Sequence, residues 1–241
     1  MATGSDHLFN GKMKIFFKKL WKWVKRIFIF LFIAQLLYIV ILKWVYPPIT
    51  ITQLISWISG HGLARDYIGK NSISVNAKLA FIAAEDQLFP DHNGFDIKAI
   101  KKAMKHNSKR KKVRGASTIS QQTAKNVFLW QSRSWFRKGL EVYFTFMIEK
   151  IWGKKRILEV YLNVIETGDG IFGIEAASKK YFNKSSSKLT RQQSAMIAAS
   201  LPNPKRFTVK PPTPYVSSRA LWVMRQMNNL ESDPDIQKIL K

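Results

Sequence analysis

The sequence predicts a mainly α-helical domain that follows one N-terminal transmembrane helix. One long apolar run lies near the N-terminus, at residues 27–42, and apolar residues further along the chain recur at helical spacing. Short apolar runs with strand alternation are scarce, and the chain has no internal repeat. With 241 residues and 46% hydrophobic content the chain can bury a core, which excludes a disordered basic tail.

The run IFIFLFIAQLLYIVIL at residues 27–42 is by itself too short to cross the roughly 30 Å hydrocarbon core of a bilayer. Extension to Tyr46 closes the gap, so the sequence predicts a transmembrane helix over residues 27–46. Seven lysine or arginine residues precede the run, which predicts a cytoplasmic basic segment at residues 1–26 and an exported domain at residues 47–241. A cleaved signal peptide fits less well, because bulky residues rather than small ones follow the run.

Helical patterns then follow one another along the exported part. Ser74 is expected to cap a helix that continues to Glu85, with apolar residues on one stripe. Seven further helices are predicted at residues 97–106, 117–128, 134–151, 154–164, 172–181, 189–200 and 216–230. The proline-rich stretch from Leu201 to Pro214 is predicted to be extended.

The formal net charge is +25, and residues 44–241 alone carry +18. Such a charge predicts a polyanionic partner, which is nucleic acid, an anionic membrane or a phosphorylated substrate. Between Asp96 and Glu141 the chain has thirteen lysine or arginine residues and no acid. A solvated basic face is the plain interpretation, but cations interleaved with apolar residues and amides, such as Lys125, fit a binding surface better. The lack of cysteine excludes disulfides, Cys-ligated metals and thiol nucleophiles.

The chemical information is concentrated in a series of short segments. They read EDQLFPDHNGFD at 85–96, GASTISQQTAKN at 115–126, RKGLEVYFTFMIE at 137–149, KKRILEVYLN at 154–163 and GIFGIEAASKKYF at 170–182. In this order and spacing they resemble the signature blocks of glycosyltransferase family 51, the peptidoglycan glycosyltransferases. The resemblance covers about residues 65–215 and implies a lysozyme-like helical fold. One departure is Thr145, where the family more often has alanine; we expect it to affect packing rather than chemistry.

The residues themselves suit glycosidic bond formation from a sugar diphosphate, which needs a base for the acceptor hydroxyl and cations for the departing diphosphate. Glu85 follows the apolar run LAFIAA, so burial is expected to raise its pKa toward the working range of a base. The plainer alternative is a helix-end carboxylate paired with a lysine. Thr118, Gln122 and Lys125 lie at i, i+4 and i+7, on one helix face that we expect to point at a common ligand rather than at solvent.

The resemblance implies that Glu85 is the catalytic base and Glu141 the second catalytic carboxylate. From the residues alone, Arg137 and Glu141 would be an ordinary i, i+4 surface ion pair. The residues expected to bind substrate are Asp86, Phe89, His92, Ser117, Thr118, Gln122, Lys125, Asn126, Arg133, Arg137 and Lys138. Within this set, His92 is expected to be a structural hydrogen-bonding residue and Phe89 a packing residue near the site.

The implied reaction is the polymerisation of lipid II, in which the growing glycan passes from undecaprenyl diphosphate to the GlcNAc 4-hydroxyl of lipid II with inversion to a β-1,4 bond. The family commonly uses Mg²⁺ or Mn²⁺, but the sequence shows no dedicated metal site. Expected partners are lipid II, the growing glycan strand, membrane lipids and proteins of cell-wall synthesis or division. The expected location is the bacterial inner membrane, single-pass, with the N-terminus cytoplasmic and the catalytic domain periplasmic.

Three other interpretations are weaker. A lysozyme-like lytic glycosidase would also use a glutamate, but it has no need of the cationic cluster, because its leaving group is a sugar hydroxyl. A membrane-tethered nucleic-acid binder follows from charge alone, and an exported basic domain does not normally meet DNA. Transpeptidase activity is not expected, because the S-x-x-K matches lack a following K-T-G. The apolar stretch Ile49–Ile58 could belong to a membrane-embedded jaw through which the lipid tail enters.

Overall fold

The computed structural model describes residues 4–108, 115–132 and 134–241, and these ranges are predominantly helical. The predicted mainly α-helical fold class is confirmed. The chain divides into two compact units, Met1–Val45 and Tyr46–Lys241.

The first unit consists of helix α1, Gly4–Ile41, which joins the basic segment and the apolar run in one continuous helix. Its part Phe16–Ile41 is long and apolar enough to cross a membrane, and most of its large apolar side chains are exposed. The helix ends at Ile41, five residues before the limit that the sequence predicts for the membrane segment. The membrane boundaries at residues 27 and 46 stay a prediction.

The second unit is built from ten α-helices within the described ranges. They are α2 Ile51–Ile58, α3 Val75–Glu85, α4 Ile97–Asn107, α5 Ile119–Phe128, α6 Trp135–Ile151, α7 Lys154–Val164, α8 Ile174–Phe182, α9 Arg191–Ser200, α10 Pro214–Leu230 and α11 Pro234–Leu240. Short 3-10 turns lie at Lys70–Ser72 and Ser186–Lys188. The predicted helices are present with limits that differ by at most two residues. The stretch predicted to be extended, Leu201 to Pro214, instead forms consecutive turns over residues 201–213, and Pro214 is the first residue of α10.

Side-chain caps explain where several of these helices begin. The Ser74 side chain accepts a hydrogen bond from the Ala77 N–H, as predicted, and Thr118 caps α5 in the same way through Gln121. The Gln121 side chain in turn accepts from the Thr118 backbone N–H, which completes a capping box. Local sequence therefore fixes where α3 and α5 begin.

A small three-stranded sheet was not predicted. Strands β1 Ala64–Arg65, β2 Glu166–Gly168 and β3 Ile171–Phe172 lie in the order β1-β3-β2, with β1 parallel and β2 antiparallel to β3. Strands of two or three residues are too short to show alternation in a sequence. The short helices α2 and α11 were missed for a similar reason, since each has at most eight residues.

Two groups of helices meet at the end of α3. Helix α3 packs against α9 and α10, whereas α5 packs against α6 and α7. The fully buried rings of Phe81 on α3 and Tyr161 on α7 join the groups edge to face, with centroids 6.1 Å apart. The last residue of α3, Glu85, therefore faces helix α5 across the junction of the two groups.

Candidate active site

A cavity of about 830 Å³ opens where the C-terminal end of α3 meets the N-terminal end of α5. Its lining comprises residues 83–88, Asp96, Ala99, residues 115–118, Gln122 and Pro202. Five of the predicted site residues thus line one cavity: Glu85, Asp86, Ser117, Thr118 and Gln122. The structure brings together side chains that come from two separate sequence segments.

Glu85 is the last residue of α3 and presents its carboxylate to the cavity. Burial raises the pKa of this carboxyl group above its usual value, because the charged form loses solvation. The Gln122 hydrogen bond and the charges of Arg219 and Lys125 act in the opposite direction, but burial dominates. Glu85 makes no ion pair within 4 Å among the described residues, so none of the described lysines is paired with it. A carboxylate with a raised pKa beside a cavity is suited to accept a proton.

The side chain of Gln122 holds the Glu85 carboxylate in place. Its Nε2 donates to Glu85 Oε2 at 2.7 Å, and its Oε1 accepts from the Tyr161 hydroxyl at 3.1 Å. Because the hydroxyl donates to the amide oxygen, the amide nitrogen must point at Glu85. Tyr161 is fully buried, and burial raises the pKa of its hydroxyl well above the usual value, so the group remains a donor. Three side chains from α3, α5 and α7 thus form one oriented series of hydrogen bonds.

Asp86 and His92 lock the turn that follows α3. The Asp86 carboxylate accepts from His92 Nε2 at 3.0 Å and from the backbone N–H of Ile119, in the first turn of α5, at 2.9 Å. His92 Nδ1 accepts from the Gly94 N–H at 3.1 Å, which assigns the proton to Nε2. His92 is therefore a structural hydrogen-bonding residue, as expected from sequence. Asp86 contributes negative charge at the start of α5, where the helix dipole favours it.

Gly94 allows α5 and α6 to approach this turn. Its φ of +88° lies in the region that favours glycine, and a Cβ there would lie 2.7 Å from Cγ2 of Thr145. The Thr118 hydroxyl donates to the Gly94 carbonyl at 2.7 Å. Thr118 therefore holds this turn against α5 as well as lining the cavity. Thr145 is accommodated because residue 94 lacks a side chain. The Thr145 hydroxyl donates to the Glu141 carbonyl at 2.6 Å.

A second carboxylate, Glu141, lies on α6 and is buried with two cations. Arg137 Nη1 donates to Glu141 Oε2 at 2.7 Å, and Lys138 pairs with Oε1. Glu141 has 4% of its side chain exposed and Arg137 has 11%. The interpretation as an ordinary surface ion pair is therefore wrong: the pair is buried, and its geometry fixes where the guanidinium points. The Arg137 Nε also donates to the Ser132 carbonyl at 2.7 Å.

Lys125 on α5 links the two carboxylate regions. Burial lowers the pKa of its ammonium group, and the charges of Glu141 and Glu85 both favour the protonated form. Arg137 and Lys138 act on Lys125 as like charges, so the three cations lie close together. Lys125 forms no ion pair within 4 Å in the part of the chain that the structure describes. An unpaired lysine beside two paired cations is suited to bind an incoming anion.

The remaining predicted residues lie around this site in different ways. Phe89 is fully buried, which agrees with the expected packing role and leaves it no surface for a ligand. Asn126 is 4% exposed; its Oδ1 accepts from Gln131 Nε2 at 3.2 Å, and its Nδ2 has no partner among the described residues. Ser117 is exposed at the cavity wall. Arg133 lies outside the described residues, so its place in the site stays a prediction.

Two residues near Glu85 were missed by sequence reasoning. Tyr161 belongs to the segment KKRILEVYLN, which was recognised without a role for the tyrosine; a lone tyrosine on an apolar helix face gives no sign of its partner. Arg219 lies on α10, outside every recognised segment, and its Nη2 lies 3.5 Å from the Ala84 carbonyl. Only the tertiary packing of α10 on α3 brings Arg219 to Glu85.

A dedicated site for a divalent cation is not present among the described residues. No group of three or more His, Asp or Glu side chains in the described ranges could hold a metal ion. Both carboxylate oxygens of Glu141 are already paired with cations, which a metal ion would have to displace.

Comparison with known proteins places the chain among related sequences. The family model described as Transglycosylase matches residues 52–228. A protein of Shewanella oneidensis named biosynthetic peptidoglycan transglycosylase is 47% identical over 222 residues, covering 88% of this chain and 93% of the relative. Proteins of the same name from Escherichia coli and Shigella boydii serotype 4 are each 53% identical over 190 residues, covering 77% of this chain and 78% of the relative.

Proposed function

The chain belongs to the transglycosylase family, and from this premise we propose that its cavity polymerises peptidoglycan glycan strands from lipid II. The observation that carries the proposal is Glu85, a partly buried carboxylate that has no ion pair among the described residues and lies near a cluster of cations that centres on Lys125. A base with an anion site near it is what glycosyl transfer from a lipid diphosphate requires.

In the proposed reaction, the 4-hydroxyl of the GlcNAc of lipid II lies against Glu85 and loses its proton to the carboxylate. Its oxygen attacks the anomeric carbon of the terminal MurNAc of the growing strand. The bond from that carbon to the diphosphate oxygen breaks on the opposite face, and the electron pair leaves with undecaprenyl diphosphate. An α-linked diphosphate thereby becomes a β-1,4 glycosidic bond.

Gln122 and Tyr161 contribute by orientation. The amide nitrogen of Gln122 holds one oxygen of Glu85, so that the other oxygen is free to face the acceptor hydroxyl. The Tyr161 hydroxyl prevents the amide from turning. A base held by a fixed donor does not have to reorganise as the proton moves, which lowers the barrier.

The cations stabilise the leaving group. Lys125 is the cation best placed to bind the diphosphate directly, because Arg137 and Lys138 share the charge of Glu141. Glu141 acts on the reaction through these two cations, by holding them beside Lys125 against their mutual repulsion. Arg133 is proposed as a further cation of this surface.

The membrane setting follows from the anchor and from α2. Helix α1 is proposed to cross the bacterial inner membrane, with the N-terminus in the cytoplasm and residues 47–241 in the periplasm. Helix α2 exposes large apolar side chains, among them Trp57 at 61% and Ile58 at 72%. Such a face is suited to enter the lipid surface where the polyprenyl tail is held, as the jaw predicted from Ile49–Ile58 would be.

Incubation of the purified full chain with labelled lipid II tests the function. We expect a glycan polymer that a muramidase degrades, together with release of undecaprenyl diphosphate. A lytic glycosidase would instead release soluble fragments from isolated sacculi and leave lipid II unchanged. Absence of polymer with intact lipid II, in detergent or in vesicles, would contradict the proposal.

The topology can be tested because the chain has no cysteine. A Ser232→Cys variant places a thiol on an exposed residue of the second unit, and a Ser5→Cys variant places one near the N-terminus. In spheroplasts, a membrane-impermeant maleimide should label the first variant and not the second. Labelling of the second variant alone would reverse the proposed orientation.

A further inference from the structure

Helix α10 carries a stripe of aromatic and cationic residues beside the catalytic cavity. A groove of about 280 Å³ on this helix is lined by Tyr215, Ser218, Arg219, Trp222 and Arg225. These positions recur every three or four residues and so share one helix face. Residues 214–230 contain no acid, so nothing on α10 itself neutralises the two arginines. The groove is thus a cationic surface with aromatic sides.

Arg219 connects the groove to the catalytic carboxylate. Its guanidinium carbon lies 3.6 Å from the centroid of the Trp222 ring, and its Nη2 donates to the Ala84 carbonyl at 3.5 Å. Ala84 lines the catalytic cavity, and its neighbour Glu85 feels the positive charge of Arg219. A second link lies nearby, since Gln87 Nε2 donates to Gln226 Oε1 at 3.4 Å. The groove therefore lies next to the Glu85 end of the cavity.

One side of the groove carries a stacked pair of aromatic rings, and the other side carries an arginine that has no ion pair among the described residues. The ring of Tyr215 is stacked on Phe207, with centroids 4.1 Å apart and 20° between the planes. Arg225 is exposed and has no ion-pair partner within 4 Å among the residues that the structure describes. A guanidinium group presents paired N–H donors that match a carboxylate, and flanking aromatic rings favour planar groups.

We propose that the α10 groove binds the carboxylate-bearing stem peptide of the acceptor lipid II, with Arg225 as the residue that contacts the carboxylate. The inference rests on the proposed function and specifies how the same site recognises its acceptor. The acceptor is chosen because the groove lies next to Glu85, which takes the acceptor proton. The lipid diphosphate of the donor is bound instead by Lys125 on α5 and the neighbouring cations on α6.

The test compares Arg225→Gln with the unchanged protein in steady-state polymerisation of two substrates. These are lipid II with its stem peptide and a lipid II analogue from which the peptide has been removed. With the peptide present, we expect KM to rise about tenfold and kcat to stay within about twofold, as loss of one charge-assisted contact predicts. With the peptide absent, the two proteins should have the same KM. Lys238→Gln, which removes an exposed cation paired with Asp235, is the matched control and should change neither value.

A second experiment separates acceptor from donor. A labelled lipid II with a blocked GlcNAc 4-hydroxyl can act only as donor, so its coupling rate can be measured with acceptors that carry or lack the peptide. The effect of Arg225→Gln should follow the peptide on the acceptor.

The results that would overturn the proposal are distinct from failure of the function itself. An equal rise in KM for the peptide-free substrate, an unchanged KM for both, or an effect that follows the donor peptide would each contradict the groove's role. If the unchanged protein polymerised neither substrate, the proposed function itself would be wrong.

Discussion

Glu85 and Glu141 are two acids that the structure surrounds in opposite ways. Glu85 faces a cavity of about 830 Å³ and is held by a neutral amide. Burial raises the pKa of its carboxyl group. Glu141 is buried against Arg137 and Lys138, which together compensate its charge. The two carboxylates share Lys125 as a neighbour.

The difference assigns the roles. A carboxylate that is buried without a paired cation holds a proton readily and is suited to act as a base. A carboxylate whose two oxygens are each paired with a cation is suited to position those cations. We therefore propose that the two glutamates perform different tasks because their surroundings differ, and each of the following predictions tests one side of this contrast.

The largest effect is expected from Glu85→Gln. The amide has the same shape but cannot accept the proton, so polymerisation of labelled lipid II should fall about 1,000-fold. The fold should be unharmed, because the substitution removes a poorly solvated charge. Thermal unfolding should give a Tm at least equal to that of the unchanged protein at neutral pH. A variant that polymerised lipid II at the normal rate would exclude Glu85 as the base.

Glu141→Gln should reduce both activity and stability. Arg137 and Lys138 would keep their charges without the buried carboxylate, which should cost about 2–3 kcal/mol in the free energy of unfolding, since Lys138 is partly exposed. Misplaced cations should lower kcat roughly 100-fold.

Denaturant unfolding, combined with the lipid II assay, measures both quantities. Comparison with Glu85→Gln supplies the control, because the contrast requires that only the Glu141 variant lose stability. Equal stability of the two variants would remove the distinction between the two surroundings.

The pH dependence should report Glu85. Its pKa lies above the ordinary value of 4.5, and the base works only when ionised, so kcat/KM should fall about tenfold for each pH unit below the raised pKa. The folded protein also holds this proton more tightly than the unfolded chain does. Its contribution to the free energy of unfolding therefore decreases as the pH rises from the ordinary value through the raised one.

Rate measurements between pH 4.5 and 8, with unfolding measured at each pH, would test both statements. Glu85→Gln should lose this part of the pH dependence of stability. A rate that stayed constant down to pH 4.5 in folded protein would contradict a raised pKa.

The smallest effect is expected from Tyr161→Phe. The change removes only the hydroxyl that orients Gln122, worth about 1 kcal/mol, so kcat should fall about fivefold. Because the amide can then turn its oxygen toward Glu85, the acid limb of the pH profile should also move to higher pH. A purely structural role would not move that limb.

The matched control is Tyr181→Phe. Tyr181 donates to the Thr167 carbonyl at 3.1 Å and has no link to Glu85, so this variant should keep the normal pH profile. An identical response of the two variants would refute the orienting role of Tyr161.

Sequence reasoning succeeded where the signal is local. The cap at Ser74 and the extent of α7 follow from residues within one or two helical turns. It was incomplete where one residue type serves two purposes. Thr118 shares a helical stripe with Gln122. Its hydroxyl nevertheless caps α5, because a threonine at a helix start satisfies the free backbone N–H groups there. The same hydroxyl donates to the Gly94 carbonyl.

The sequence by itself determined the fold class, the apolar helix that could cross a membrane, the recognised segments and the two glutamates, since periodicity, capping and motif spacing are properties of neighbouring residues. Only the tertiary structure decided which glutamate has an amide partner and which has cations, and only it brought Tyr161 and Arg219 to Glu85. The physical reason is that the pKa of a carboxyl group depends on burial and on charges from distant parts of the chain. Those distances exist only after α3, α5, α7 and α10 have packed together.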